Sequence, residues 1–119
     1  MWSKLQEVFD ELETEYGISY SRQGSYEIDE ELPESFFTFW NKSSEFENYY
    51  NNRPSSCNWD WNVFFYTKNP AEIYEGLNKF IKKAEEKGFI VEDAGKDIQT
   101  DEPNYFGRYT TVTFIERLK

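Results

Sequence analysis

The sequence contains no histidine and a single cysteine, Cys57, and these two absences exclude much of enzyme chemistry. Without histidine the chain cannot build a Ser-His-Asp or Cys-His catalytic arrangement. One cysteine cannot form an internal disulfide, and a structural zinc site would lack nearly all of its usual ligands. We therefore expect a protein that is not an enzyme and binds no cofactor or metal, with Cys57 as a small buried side chain facing the interior of a sheet.

Glycine and long apolar runs are also scarce. The six glycines are scattered along the chain and form no phosphate-binding loop. No apolar run is long enough to span a membrane, and the first residues lack the basic and apolar regions of a signal peptide. Asp93, Asp97, Asp101 and Glu102 lie close in sequence, but without the alternate spacing of a calcium-binding EF-hand they predict a solvated loop.

Negative charge dominates the first part of the chain. The net charge is -10; residues 1–50 hold twelve acids against three basic residues, whereas residues 51–119 hold eleven acids against ten basic residues. This distribution argues against binding of a nucleic-acid backbone, which needs clustered lysine and arginine. It predicts either a solvated surface that aids solubility or a surface that repels or imitates nucleic acid.

Aromatic residues are abundant, at 20% of the sequence. Because each ring buries a large area, the 119 residues can form one core, in a single domain spanning residues 1–119. Apolar residues three and four positions apart predict two helices. The first spans about residues 2–16 and is closed by Gly17; the second begins at Asn69 and is closed by Gly88.

Strands are predicted at residues 18–21, 35–42, 57–66, 89–93 and 108–118. The third strand alternates most regularly, with Cys57, Trp59, Trp61, Val63 and Phe65 on one face. We expect the stripe of the second helix, formed by Ile73, Leu77, Phe80 and Ile81, to pack on that face. The order α-β-β-β-α-β-β predicts an α+β fold, a two-layer, largely antiparallel sheet with flanking helices.

The polar stretch at residues 43–56 is predicted to be a long hairpin loop. It is rich in serine and asparagine and ends in an Asn-Asn-Arg-Pro tip. We expect this loop to be mobile in an isolated subunit and to become ordered against a neighbouring molecule.

Three stretches carry a resemblance to a known family. They are LPESFFTFWNKSSEFENYYNN, VFFYTKNPAEIYEGLNKFIKKAEEKGF and the C-terminal YTTVTFIERL, in this order after an N-terminal helix. Over nearly the full chain they resemble the tail terminator proteins of long-tailed bacteriophages, also called tail completion or head–tail joining proteins. The resemblance implies a ring, usually hexameric, at the head-proximal end of the tail tube. Such a ring ends tube polymerisation and provides the docking surface for the head connector.

The same resemblance implies partners and a location. The family's contacts vary in sequence, so the candidate residues come from the charge and composition of this chain. The expected partners are copies of the chain, the tail-tube protein and the head-connector protein, within a virion assembled in the host cytoplasm. DNA would pass through the ring without specific binding, and acidic residues lining the lumen would repel it. The candidates for the lumen or a partner-facing surface are Glu27, Asp29, Glu30, Glu31 and Glu34. The candidates for a loop that contacts another subunit or the tube are Glu45, Phe46, Tyr49, Tyr50 and Arg53.

Two other functions stay open at this point. An acidic inhibitor that imitates DNA, such as a phage counter-defence protein, fits the charge and size equally well. Against it, the acids are not spaced along one helix as a ladder of phosphates would be. An immunity protein for a secreted toxin is the third possibility.

Overall fold

A computed structural model describes residues 2–22, 34–50, 52–100 and 104–118. In this part of the chain two helices pack on one face of a six-stranded sheet, so the predicted α+β, largely antiparallel fold is confirmed. A single 3-10 turn, Pro70–Glu72, precedes the second helix. The elements are α1 (Trp2–Tyr16), β1 (Ser19–Arg22), β2 (Ser35–Tyr50), β3 (Arg53–Thr67), α2 (Ile73–Glu86), β4 (Ile90–Val91), β5 (Lys96–Ile98) and β6 (Phe106–Arg117).

The sheet is built around a long hairpin. Its strand order is β1-β2-β3-β6, and the short strands β4 and β5 both pair with β6. All pairs are antiparallel except β1 with β2, which run parallel. Because β3 lies between β2 and β6 over most of its length, it is the central strand of the sheet.

Both helices end in the way that their glycines predict. Gly17 adopts a φ of 70°, and its amide donates to the Glu13 carbonyl at 2.9 Å. Gly88 adopts a φ of 93°, and the next amide, that of Phe89, donates to the Ala84 carbonyl at 2.9 Å. These left-handed caps satisfy carbonyls that a helix end otherwise leaves without partners.

The core lies between the helices and the sheet, with Phe9 of α1 near its centre. The Phe9 ring contacts Phe80 of α2 and Phe39 of β2, each with ring centroids 5.4 Å apart. The second helix reaches the sheet where predicted. Ile73, Leu77 and Phe80 share one core with Trp61 and Val63, and Trp59 and Ile81 pack at its edge.

The prediction of a long loop at residues 43–56 is wrong. Residues 43–50 belong to β2 and residues 53–56 to β3, which pair as far as Tyr50 and Arg53 with one interruption at Asn48, whose φ is 57°. The strands extend this far because only two residues connect them, and Asn52, one of these two, adopts a φ of 62°. Two-residue hairpin turns need such left-handed residues, and asparagine tolerates them. Polar composition does not distinguish a loop from an exposed strand, because neither has a face that must be buried in a core.

Smaller differences concern the chain after Asn69. The helix begins with the 3-10 turn, in which the Asn69 side chain accepts from the Ala71 amide at 3.0 Å, so the predicted cap is present. The stretch after Gly88 contains one more strand than expected, because β5 forms within what was predicted to be a turn-rich connection. No helix in the described ranges is long and apolar enough to cross a membrane.

Candidate assembly surfaces

The outer half of the β2–β3 hairpin forms an arm, defined here as residues 43–50 and 53–60. Two neighbouring strands stop short of its tip: β1 pairs with β2 only as far as Phe39, and β6 pairs with β3 only as far as Ser56. The molecule is elongated, with extents of 53 × 28 × 25 Å. The arm is therefore three-stranded at its base, where β6 pairs with residues 56–60, and it projects from the compact body as two strands only at its end, residues 48–50 and 53–55.

The arm exposes large aromatic side chains. Phe46 is 57% exposed, Tyr49 63% and Tyr50 75%. Phe46 lies opposite Cys57, on the face that carries the helices, and Tyr49 lies opposite Pro54 on the other face. Exposed apolar groups of this size on a projecting element are typical of an interaction surface rather than of a solvated loop.

The outer edge of β2 along the arm has no paired strand in the described part of the chain. Such an edge presents unpaired amide and carbonyl groups, and it can pair with another strand. Pro54 is compatible with the arm because edge positions do not need the amide that proline lacks. Glu45 and Glu47 give the edge negative charge, which disfavours pairing of two identical arm edges side by side.

A group of polar side chains connects the arm to the body. Asp60 accepts a hydrogen bond from Ser43 of β2 at 2.7 Å and another from Thr113 of β6. One pair further into the body, Thr111 and the Asn62 side chain are 2.7 Å apart and share a hydrogen bond. These bonds cross three strands at the position where the pairing register of β2 shifts, between Asn41 and Ser43. They hold the arm in line with the sheet.

The sheet face opposite to the helices is called here the open face. It carries a row of contacting rings on three adjacent strands: Trp40 and Phe64 have ring centroids 5.1 Å apart, and Phe64 and Tyr109 have centroids 5.3 Å apart. Trp40 is 38% exposed, and the other two rings are partly buried. Lys96 lies directly opposite Tyr109 in the register and is exposed. We call these four residues the platform.

The acidic face of α1 is partly neutralised by α2. Lys83 and Glu15 form an ion pair with a 2.6 Å distance between Nζ and Oε1, and Lys87 pairs with Glu11 at 3.3 Å. The hydrogen bond from Lys83 to Glu15 raises the pKa of the lysine above its ordinary value. These two carboxylates therefore hold the helices together and are not available in full to an external partner.

Another acid of α1 serves a similar internal purpose. The Tyr20 hydroxyl of β1 donates to Asp10 at 2.6 Å. This hydrogen bond, together with burial and the negative charge of Asp10, raises the pKa of Tyr20. The Tyr20 ring stacks on Phe9, with centroids 5.0 Å apart. The hydroxyl and the ring of Tyr20 therefore both hold the short strand β1 against α1.

A partly buried polar cluster around Arg108 also has a structural explanation. Arg108 donates to Asp97 at 2.7 Å and to the Gly95 carbonyl at 2.9 Å, and its guanidinium lies 4.7 Å from the centre of the Tyr74 ring. The cluster fastens the β4–β5 connection to α2. Within the described ranges no group of three or more acids, histidines or cysteines is arranged to hold a metal ion.

The predicted site residues fall into two sets. Glu34 is exposed at the start of β2, whereas the other candidates for a lumen, Glu27, Asp29, Glu30 and Glu31, lie outside the described residues. The second set, Glu45, Phe46, Tyr49, Tyr50 and Arg53, is brought together on the arm, in strands and not in a loop. All five are exposed.

Comparison with models of known protein families and with curated protein sequences gives no match. Sequence reasoning missed the platform because its members come from β2, β3, β5 and β6. The available signal was the second apolar row of the hairpin, in which Phe64 and Tyr66 alternate with the predicted core residues.

Proposed function

We propose that this protein is a structural subunit that assembles with copies of itself into a ring, and that the ring caps the tail tube of a long-tailed phage. The observation that carries the proposal is the arm: a projecting hairpin with three exposed aromatic residues and an open strand edge. The resemblance of the sequence to tail terminator proteins supplies the identity of the assembly.

The arm supports assembly for an energetic reason. Burying an apolar side chain contributes about 1.5–3 kcal/mol, so three aromatic residues can supply much of the free energy of a contact. Within one subunit Phe46, Tyr49 and Tyr50 keep 57%, 63% and 75% of their surface exposed, so most of this burial is left for a contact with another molecule. The arm stabilises the assembled state much more than it stabilises the monomer.

A capping ring needs two unlike ends. One end must bind the last ring of the tube. The other end must bind the head connector and must not bind a further tube ring. The elongated subunit, with the arm at one end and the helices along the other part, offers unlike surfaces for these contacts. In this proposal the tail-tube and head-connector proteins are the partners, and the assembled protein resides in the virion.

The alternative of a DNA-imitating inhibitor receives less support. Such an inhibitor needs a regular set of free carboxylates, whereas Glu11 and Glu15 are paired with lysines of α2 and Asp10 accepts from Tyr20. The exposed aromatic residues of the arm have no part in that function. The immunity-protein alternative has no particular observation in its favour.

The proposal is tested by mixing the purified protein with uncapped tail tubes and imaging them by negative-stain electron microscopy. We expect a disc of added density at one end of each tube and no further growth when tube protein is supplied. The double variant Tyr49→Ser with Tyr50→Ser should lose this activity, whereas Tyr16→Ser, which removes an exposed aromatic residue from α1, should keep it. Tubes that continue to grow with bare ends in the presence of the unaltered protein would contradict the proposal.

A further inference from the structure

We propose that the arm of one subunit binds the platform of the next copy of the chain, so that the subunits join head to tail. This inference rests on the proposed self-assembly and adds the two surfaces that meet. The platform consists of Trp40, Phe64, Tyr109 and Lys96, and the arm contributes Glu45, Glu47 and the tyrosines of its tip.

The platform is suited to an aromatic partner. The rings of Trp40, Phe64 and Tyr109 form a continuous row across three strands, and in the described part of the chain both helices pack on the opposite face. Aromatic pairs add about 0.5–1.5 kcal/mol beyond the burial of their area. Tyr49 and Tyr50, at the tip of the arm, are rings of the kind that such a row can accept.

Charge favours the same pairing. The open face carries Lys96 next to Tyr109, and the ammonium group of Lys68 lies 5.5 Å from the centre of the Tyr105 ring on the same face. The arm carries Glu45 and Glu47 a few residues from its tip. With Asp60 and against Arg53 they leave the arm with a net negative charge, so two identical arms repel each other, whereas an arm and the lysines of the open face attract. Such complementary charges select the partner and orient it more than they add affinity.

The geometry excludes this contact within one subunit. The arm and the platform share β2, and Tyr50 lies ten residues beyond Trp40 along that strand, which is about 30 Å away in extended backbone. The arm points away from the platform of its own subunit. Because two different surfaces meet, each subunit binds one neighbour on each side. A chain of such contacts closes into a ring or continues as a filament, whereas a two-fold pair that exchanges its arms would be seen as a dimer end state in ultracentrifugation and would contradict the head-to-tail arrangement.

The test is a charge exchange between the two surfaces, read by analytical ultracentrifugation. The arm variant carries Glu45→Lys and Glu47→Lys, the platform variant carries Lys68→Glu and Lys96→Glu, and a third protein carries all four changes. We expect each two-residue variant to need at least about tenfold more protein to assemble than the unaltered chain. The four-residue variant should recover much of the loss. Urea unfolding of each variant provides the control for folding.

A mixture of the two defective variants sharpens the test. In the mixture both contacts between unlike variants are complementary in charge: the glutamate arm of the platform variant meets the lysine platform of the arm variant, and the lysine arm meets the glutamate platform. A head-to-tail interface therefore predicts that the mixture assembles with the two variants alternating, at concentrations where each variant alone stays dissociated. Assembly of the platform variant at the unaltered concentration would overturn the inference, and so would a failure of the four-residue variant to recover.

A crosslinking experiment is independent of charge. On a Cys57→Ala background, Glu47→Cys and Lys96→Cys proteins are oxidised separately and as a mixture. Arm-to-platform docking predicts disulfide-linked dimers in the mixture and few in either protein alone. Dimers of Glu47→Cys alone would instead indicate pairing between two arms and would contradict the inference.

If the unaltered chain stays monomeric and leaves tubes uncapped, both the proposed function and this inference fail. If it assembles but the platform changes have no effect, the inference alone fails.

Discussion

The two halves of the β2–β3 hairpin are made by the same two strands and differ in what surrounds them. In the body half, residues 36–39 of β2 are all buried, because β1 flanks them and both helices cover one face. In the arm half, residues 44–50 are all exposed. Both halves are antiparallel sheet, with a register shift between Asn41 and Ser43 and a left-handed residue, Asn48, in the arm. The comparison shows that strand pairing and hydrophobic burial are separate properties, since the arm has the first with little of the second.

The largest contrast is expected for truncation of a core side chain. Leu77 of α2 is fully buried, so Leu77→Ala should lower the free energy of unfolding by about 2–5 kcal/mol. The matched change Tyr50→Ala in the arm should lower it by less than about 0.5 kcal/mol, because Tyr50 is 75% exposed. Urea denaturation followed by tryptophan fluorescence measures both. Equal losses in the two variants would mean that the arm is part of the cooperative core.

A smaller loss of stability, caused by overpacking and not by a cavity, is expected when Gly76 is replaced by alanine. A β-carbon added there would lie 2.2 Å from two ring atoms of Phe65, and that ring is itself buried in the core. Gly76→Ala should therefore lower the free energy of unfolding by about 1–3 kcal/mol through overpacking, although alanine favours helices.

The control for Gly76→Ala is the pair Gly76→Ala with Phe65→Leu, in which the smaller side chain makes room. Phe65→Leu should lower the free energy of unfolding less in the Gly76→Ala protein than in the unaltered protein. Thermal unfolding of the four proteins measures this coupling. A Gly76→Ala variant more stable than the original would show that helix and sheet lie further apart here.

The finest distinction concerns amide exchange within the arm of the unassembled protein. Along an antiparallel pair, the amides of one strand point alternately toward and away from their partner strand. Counting from the Tyr50–Arg53 pair beside the turn, we expect the amides of Tyr49, Glu47 and Glu45 to point outward and exchange quickly. Those of Phe46 and Ser44 should exchange more slowly, and all of them faster than amides of the body half. Hydrogen exchange followed by nuclear magnetic resonance measures this, and uniformly fast exchange along the arm would indicate the loop that the sequence first suggested.

The elements of the body were predictable because their residues repeat with a clear period and are bounded by caps. Asn69 with Pro70 begins the second helix region and Gly88 ends it, and the alternation from Cys57 to Phe65 marks a half-buried strand. Residues 43–50 and 53–56 of the arm could not be found by periodicity, because they do not alternate between a core and solvent. Only the Asn-Asn pair at its tip indicated a tight turn, and that signal was outweighed by the polar composition.

The candidate surfaces were predictable to a lesser degree. The aromatic residues of the arm were identified as contact residues in a wrong conformation, because exposed rings suggest binding in either backbone state. The platform needed the strand register: Trp40, Phe64 and Lys96 are far apart in sequence, and only the pairing of β2, β3, β5 and β6 brings them together. The ion pairs of Glu11 and Glu15 with lysines of α2 could not be predicted either, because they depend on how the two helices pack.

The position of β3 between two long antiparallel partners has a mechanical consequence. A pull on the tip of the arm acts along the strand axis, at right angles to the hydrogen bonds that join β3 to its neighbours. Because β6 faces β3 at twelve successive positions, those bonds carry the load together in shear and do not open one at a time like a zipper. The side chains around Asp60 resist bending at the root of the arm. The subunit thus behaves as a stiff beam that transmits tension from its tip directly into the core.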